Sequence, residues 1–178
     1  MRVFVQRAAS IAGLVLVLDQ LVKTTARLRL APCSGTPVAD CDRLELLGPL
    51  WLVRTANAGS ALGFRQGWWI WLVLAACGVL LIPAYARWLH GVGWPGVIGV
   101  GLQVGGALAN LLDRVVLGGA SDVLYVGGQL TWNLADVALA AGTLVATWAL
   151  ARRLVPLTWS GEHKPRAEPV NAVSNARR

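Results

Sequence analysis

Charge is what this sequence has least of. Only 14% of its 178 residues are Asp, Glu, Lys or Arg, while 56% are hydrophobic and the mean hydropathy is +0.57. Soluble domains average about 25% charged residues. So few charges cannot clothe a water-facing surface, and lipid must face much of the chain. Histidine is scarcer still: His90 lies in a loop and His163 in the C-terminal tail, away from the polar clusters described below. That excludes nucleophilic pairs of the Ser–His or Cys–His kind, and no zinc-like spacing or phosphate-binding glycine loop is present. No metal and no cofactor are expected. Of three cysteines, Cys77 sits inside an apolar run as a packing residue. Cys33 and Cys41 share a polar loop and form a disulfide only if that loop faces an oxidising space. The net charge of +7 comes from basic residues in the N-terminus, first loop and tail, where anionic headgroups are better partners than nucleic acid. No small-residue cleavage site follows the first apolar stretch, which reads as a retained helix.

What the chain does have is long apolar runs. Four segments approach the roughly 20 residues needed to cross a bilayer: Val3 to Val22, Trp68 to Ala86, a glycine-rich stretch between Trp88 and Leu112, and Asn133 to Leu150. Gly99, Gly101, Gly105 and Gly106 let neighbouring helices approach, which predicts a central place for the third segment. An even number of spans puts both termini on one side. Nine lysines and arginines lie on that side and seven on the other, which leans towards cytoplasmic termini. The 23–67 loop and residues 113–132 then lie outside. LELLGPLWLVRTANAG (44–59) has strand character, and Gly127-Gly128 has the chemistry of a tight turn. The expected fold is an all-α membrane protein of four transmembrane helices with a small extracytoplasmic β-sheet lying on the membrane surface. A single domain spans 1–159, and 160–178 form a polar, basic, disordered tail. No internal repeat is visible.

Only seven acids precede the tail, and four of them sit at the ends of apolar segments: Asp19, Asp113, Asp122 and Asp136. A carboxylate near a bilayer boundary is costly unless it faces the protein interior or a wet cleft. With the topology above all four meet at one membrane face. Polar groups accompany them. Lys23 lies four residues after Asp19 on the same helix face. Asn110, Asp113 and Arg114 occupy the end of the third segment, where Asp113-Arg114 reads as a structural ion pair. Asn133 suits a helix N-cap and Asp136 the N-terminal dipole of the fourth. Catalysis here, if any, falls to carboxylates.

These blocks, in order, resemble the lipoprotein signal peptidases (signal peptidase II), bacterial intramembrane aspartyl proteases. DQLVK (19–23) is similar to the family's Asp-Gln-x-x-Lys element and NAGSALGF (57–64) to its Asn-x-Gly-Ala-Ala-Phe loop. GGALANLLDRV (105–115) resembles Gly-Gly-Ala-x-Gly-Asn-x-x-Asp-Arg, and SDVLYVGGQLTWNLAD (121–136) the region ending in Phe-Asn-x-Ala-Asp. The likeness covers about residues 15–145. It implies a catalytic dyad of Asp122 and Asp136. Asn57, Gly59, Asn110, Arg114, Asn133 and Ala135 would bind substrate, with Asp19, Lys23 and Asp113 in support. The implied reaction is cleavage before the diacylglyceryl-modified lipobox cysteine of a prolipoprotein, in the bacterial cytoplasmic membrane near its outer face, with sensitivity to globomycin-type antibiotics. Ala109, Ser121, Val123 and Trp132 depart from the usual residues of these motifs, and none removes a carboxylate.

Blander readings exist for single residues: a turn for Asn57, a cap for Asn133, an ion pair for Asp19 and Lys23. Two rival classes also remain. A transporter would hold its carboxylates near the bilayer midplane rather than at helix ends. A lipopeptide-binding relative without activity would not need both aspartates.

Overall fold

The computed structural model describes residues 1–33, 38–57, 85–127 and 131–159. Most of the second apolar segment, Gly59, Gly128 and the 160–178 tail lie outside the described residues.

Helix α1 spans Arg2–Arg29. At 1.5 Å per residue it is about 42 Å long, more than a hydrocarbon core requires. Its buried positions, Phe4, Ala8, Ala12, Val15, Asp19, Lys23 and Ala26, recur every three or four residues and make one stripe. The other faces expose Leu14, Val17, Leu18 and Leu21, apolar side chains that suit lipid. The helix outruns the apolar segment by seven residues because its charged groups are either buried in pairs or, as with Arg27 and Arg29, placed on the favourable end of the dipole. Leu30 turns extended, and Pro32 cannot continue the helix.

The second apolar segment is described only at its end, where residues 85–90 form helix α2. Helix α3 covers Trp94–Leu117, opening with Pro95 in its first turn and closing at Gly118, whose φ of 76° is a left-handed cap. Helix α4 runs Leu134–Trp159. Among the described residues three helices are long and apolar enough to cross a membrane: α1, α3 and the Leu134–Arg153 part of α4.

α3 is the central helix, as its glycines predict. A Cβ on Gly101 would stand 2.7 Å from the Ile11 Cβ, and one on Gly105 would stand 2.7 Å from the Ala12 carbonyl oxygen, both on α1. On the other side a Cβ on Gly106 would meet the Ala135 carbonyl at 2.5 Å, and Gly99 faces Ala146 of α4. Two glycine edges thus seat two helices at backbone contact, where side chains at 101, 105 or 106 would force them apart.

Four antiparallel strands form a meander in the order β1 (Leu44–Leu47), β2 (Leu50–Asn57), β3 (Ala120–Val126), β4 (Thr131–Trp132). The sheet sits on the C-terminal end of α1: Leu52 and Val123 pack with Ala26 and Leu30. At the other end of the bundle Phe4, Ala8, Ala86, Leu89, Val97, Val100 and Ala146 form a second, wholly apolar cluster. Cys33 and Cys41 are joined by a disulfide, with Cα atoms 5.5 Å apart, in the loop between α1 and β1. The polar groups therefore collect at the sheet end and the apolar packing fills the opposite end.

Candidate active site

The site residues come from several elements, each of which has one end at the sheet. Asp19 and Lys23 project from the last turns of α1, Asn110, Asp113 and Arg114 from the end of α3, Asp122 from β3, and Asn133 and Asp136 from the start of α4. Asn57 closes β2, paired with Ala120 of β3.

Lys23 is fully buried, as are Asp19 and Asn133. Its ammonium lies 2.7 Å from Asp19 Oδ2 and 3.0 Å from Asp113 Oδ2, and donates to Asn110 Oδ1 at 3.3 Å. An ammonium has three protons, and all three are used. Burying such charges is tolerated only because each is paired and hydrogen-bonded. The two carboxylates have further donors. The Ala135 amide donates to Asp19 Oδ1 at 2.9 Å, tying α4 to α1. The Ser121 amide and Gln20 Nε2 each donate to Asp113 at 2.9 Å, tying β3 and α1 to α3. The carboxylate of Asp113 thus reaches across to Lys23 of α1. Arg114 donates from Nη1 to the Asn110 carbonyl at 3.0 Å and stands within the fields of Asp136, Asp122 and Asp113.

Two asparagine amides connect this charged layer to Asp122 and Asp136. Asn110 Nδ2 donates to Asp136 Oδ1 at 2.8 Å, while its Oδ1 accepts from Lys23 and from Asn133 Nδ2. Asn133 Nδ2 donates twice, to Asn110 Oδ1 and to Asp122 Oδ1, each at 3.0 Å. Asn133 Oδ1 accepts from the Asp136 amide at 2.8 Å, and Asp136 Oδ2 accepts in turn from the Asn133 amide at 3.3 Å. That reciprocal pair is an N-terminal capping box. It starts α4 and orients Asp136 together. Neither amide can be flipped without setting its oxygen against a carboxylate, and a flip of Asn133 would also set its NH2 against the Asp136 N–H. Asp122 and Asp136 therefore share one rigid bridge, the Asn133 side chain.

The backbone of Asp122 has its own restraint. Thr55 Oγ1 donates to the Asp122 carbonyl at 2.7 Å, at a point where the β2–β3 register has shifted between Leu52 and Thr55. Asp122 is 4% exposed, whereas Asp136 is only half-buried.

Most of the residues singled out in the sequence are brought together here: Asp19, Lys23, Asn110, Asp113, Arg114, Asp122, Asn133, Ala135 and Asp136 share one network. Ala135 is fully buried, and its amide serves Asp19. Sequence reasoning passed over Gln20, Thr55 and the Ser121 amide. Gln20 had a signal, an uncharged polar residue beside Asp19 in an apolar run. Thr55 had none, because its role depends on strand register. Among the described residues no group of His, Cys, Asp and Glu could hold a metal ion.

The geometry offers two carboxylates held by a linked pair of asparagine amides at the sheet end of a helical bundle, Asp122 by Asn133 and Asp136 by Asn110, backed by a neutralising lysine. Comparisons with known proteins point the same way. The family Signal peptidase (SPase) II matches residues 11–152. The lipoprotein signal peptidase of Caulobacter vibrioides is 33% identical over 142 residues, covering 76% of this chain and 80% of that protein. That of Azoarcus sp. is 31% identical over 170 residues, covering 89% of this chain and 86% of its own. That of Dehalococcoides mccartyi is 30% identical over 131 residues, with 71% and 77% covered. A bacterial membrane enzyme solved by the in meso method at 2.3 Å shares the fold, with a TM-score of 0.66 at 20% identity over 90% of this chain and 94% of that one. Sequence and fold together place this chain in the signal peptidase II family of membrane proteases.

Proposed function

We propose that this chain is an aspartyl endopeptidase that removes signal peptides from diacylglyceryl-modified prolipoproteins, cutting before the lipidated cysteine with Asp122 and Asp136. The observation that carries this is the Asn133 bridge, which donates to Asp122 and closes the helix cap on Asp136. The proposed enzyme is one domain of four spans, with the segment around Trp68 to Ala86 as the fourth and both termini in the cytoplasm. The sheet lies on the outer leaflet, so acyl chains can stay in lipid while the peptide enters the polar cleft. Asn57, Gly59, Asn110, Arg114, Asn133 and Ala135 form the substrate side, and Asp19, Lys23 and Asp113 hold it in place.

The chemistry follows from two neighbouring carboxyls sharing one proton. The ionised carboxylate takes a proton from a water, which attacks the scissile carbonyl carbon. The protonated carboxyl donates to the carbonyl oxygen, giving a tetrahedral diol. As the C–N bond breaks, the first carboxyl passes its proton to the cysteine amine and the second recovers one from the diol. The pair ends singly protonated again. Arg114 would hold the site's excess negative charge and orient peptide carbonyls.

The experiment is a gel-shift cleavage assay on purified protein with a diacylglyceryl-modified prolipoprotein, for wild type, Asp122→Asn and Asp136→Asn. Each substitution removes a proton acceptor from a coupled unit, so each is expected to lower the cleavage rate by at least about 10³-fold while lipopeptide binding remains. Globomycin at saturation is expected to abolish wild-type cleavage. Variants that cut as fast as wild type sink the dyad. Intact lipidated substrate with wild type sinks the protease reading and favours binding or transport.

A further inference from the structure

The end of the bundle away from the sheet holds a groove of about 280 Å³ between α1 and α2, floored by α3. Among the described residues its walls are Met1, Phe4, Val5, Ala8 and Ala9 on one side and Ala86 on the other, with Val100 and Val104 beneath, all of them apolar. At roughly 30 Å³ per water-sized group it has room for about nine such groups, enough for a segment of an acyl chain.

Charge decides what kind of chain. Every Asp and Glu among the described residues belongs to the sheet end or to the site. Residues 1–12, 85–105 and 140–159 carry arginines alone: Arg2, Arg7, Arg87, Arg152 and Arg153. Arg7 lies over the Trp94 ring and Arg152 over Trp148, both with the guanidinium within 5 Å of the ring centroid, as at a headgroup boundary (4.7 and 4.6 Å). Arg2 and Arg87 adjoin the lining residues Met1 and Ala86 in the chain, and both are exposed.

We infer that this groove is a binding site for one anionic phospholipid of the leaflet opposite the sheet, with an acyl chain along α3 and the phosphate held by Arg2 and Arg87. The site is separate from the carboxylates and stands or falls without them. Native mass spectrometry of the full chain in detergent, titrated with phosphatidylglycerol and with phosphatidylcholine of matched chains, tests it. One phosphatidylglycerol should be retained about tenfold more tightly than phosphatidylcholine, whose choline cation offsets its phosphate charge beside the two arginines. The Arg2→Gln/Arg87→Gln double variant should erase that preference, and Ala9→Trp, which fills the groove from an exposed position, should weaken retention of both lipids. Equal binding of the two lipids by wild type overturns the proposal, as does a preference that survives the double variant. So does unchanged retention by Ala9→Trp, or a lipid-free dimer which that substitution splits.

Discussion

At the scale of residues, the site depends on amides that hold carboxylates without neutralising them. Lys23 shows the other side of that arrangement. Its three protons are taken by Asp19, Asp113 and Asn110, so none is left for chemistry, and its work is to cancel charge in a buried layer. Removing one partner of such a group strands the others, at a cost of about 3–5 kcal/mol. Lys23→Met is therefore expected to lower the thermal midpoint of the detergent-solubilised protein and to abolish cleavage. A variant as stable as wild type would mean that Asp19 and Asp113 are not both charged. Thr55 acts more gently. Thr55→Val keeps the β-branched shape and deletes the hydrogen bond to the Asp122 carbonyl, a contribution of about 0.5–1.5 kcal/mol. Cleavage should slow by roughly tenfold or less in kcat with KM little changed, and Thr55→Ser should restore it. A loss confined to KM would assign Thr55 to substrate contact instead.

At the scale of elements, the glycines of α3 decide how close the site's parts come. Gly105 sits where α1 crosses, with the Ala12 carbonyl oxygen 2.7 Å from where a Cβ would be, and backbone cannot rotate out of the way. Gly105→Leu is expected to push α1 from α3, separating Lys23 from Asp113 two turns further along. Activity should be lost together with thermal stability, whereas Leu108→Ala on the exposed face of the same helix should change neither. Retained activity in Gly105→Leu would show that the helices are not in backbone contact. This central role was legible in the sequence, since a glycine-rich apolar stretch has few other uses. The convergence of Asp19, Asp113, Asp122 and Asp136 was legible for a similar reason: a carboxylate at the end of an apolar run needs a polar interior. Asn133 as the cap of α4 followed from local chemistry alone. Partners across elements were not legible. That Asp113 reaches Lys23 depends on how α1 crosses α3, and that Thr55 meets Asp122 depends on a register shift within β2 that no local pattern announces. Helix ends also moved, because α1 continues through Lys23 once that charge is paired.

At the scale of the whole molecule, the two ends of the bundle differ in kind, and that difference bears on orientation. The basic residues alone favour cytoplasmic termini only weakly, nine against seven. The Cys33–Cys41 disulfide adds an independent argument, because such bonds persist in oxidising compartments and the loop that carries it lies beside the sheet. Both favour the proposed orientation, with the sheet and the carboxylates outside and the arginine-rich end inside. Cysteine labelling in intact cells tests this. A membrane-impermeant maleimide should leave the loop unlabelled until an impermeant reductant is added, and then modify Cys33 and Cys41. A cysteine introduced at Ser174 in the tail should stay unlabelled until the membrane is permeabilised. Labelling of the loop without reductant would remove the disulfide and leave the topology standing. Labelling of the loop only after permeabilisation, with Ser174→Cys open from outside, would invert the protein in its membrane. It would also put the proposed dyad on the wrong side for a substrate that is lipidated at the outer leaflet.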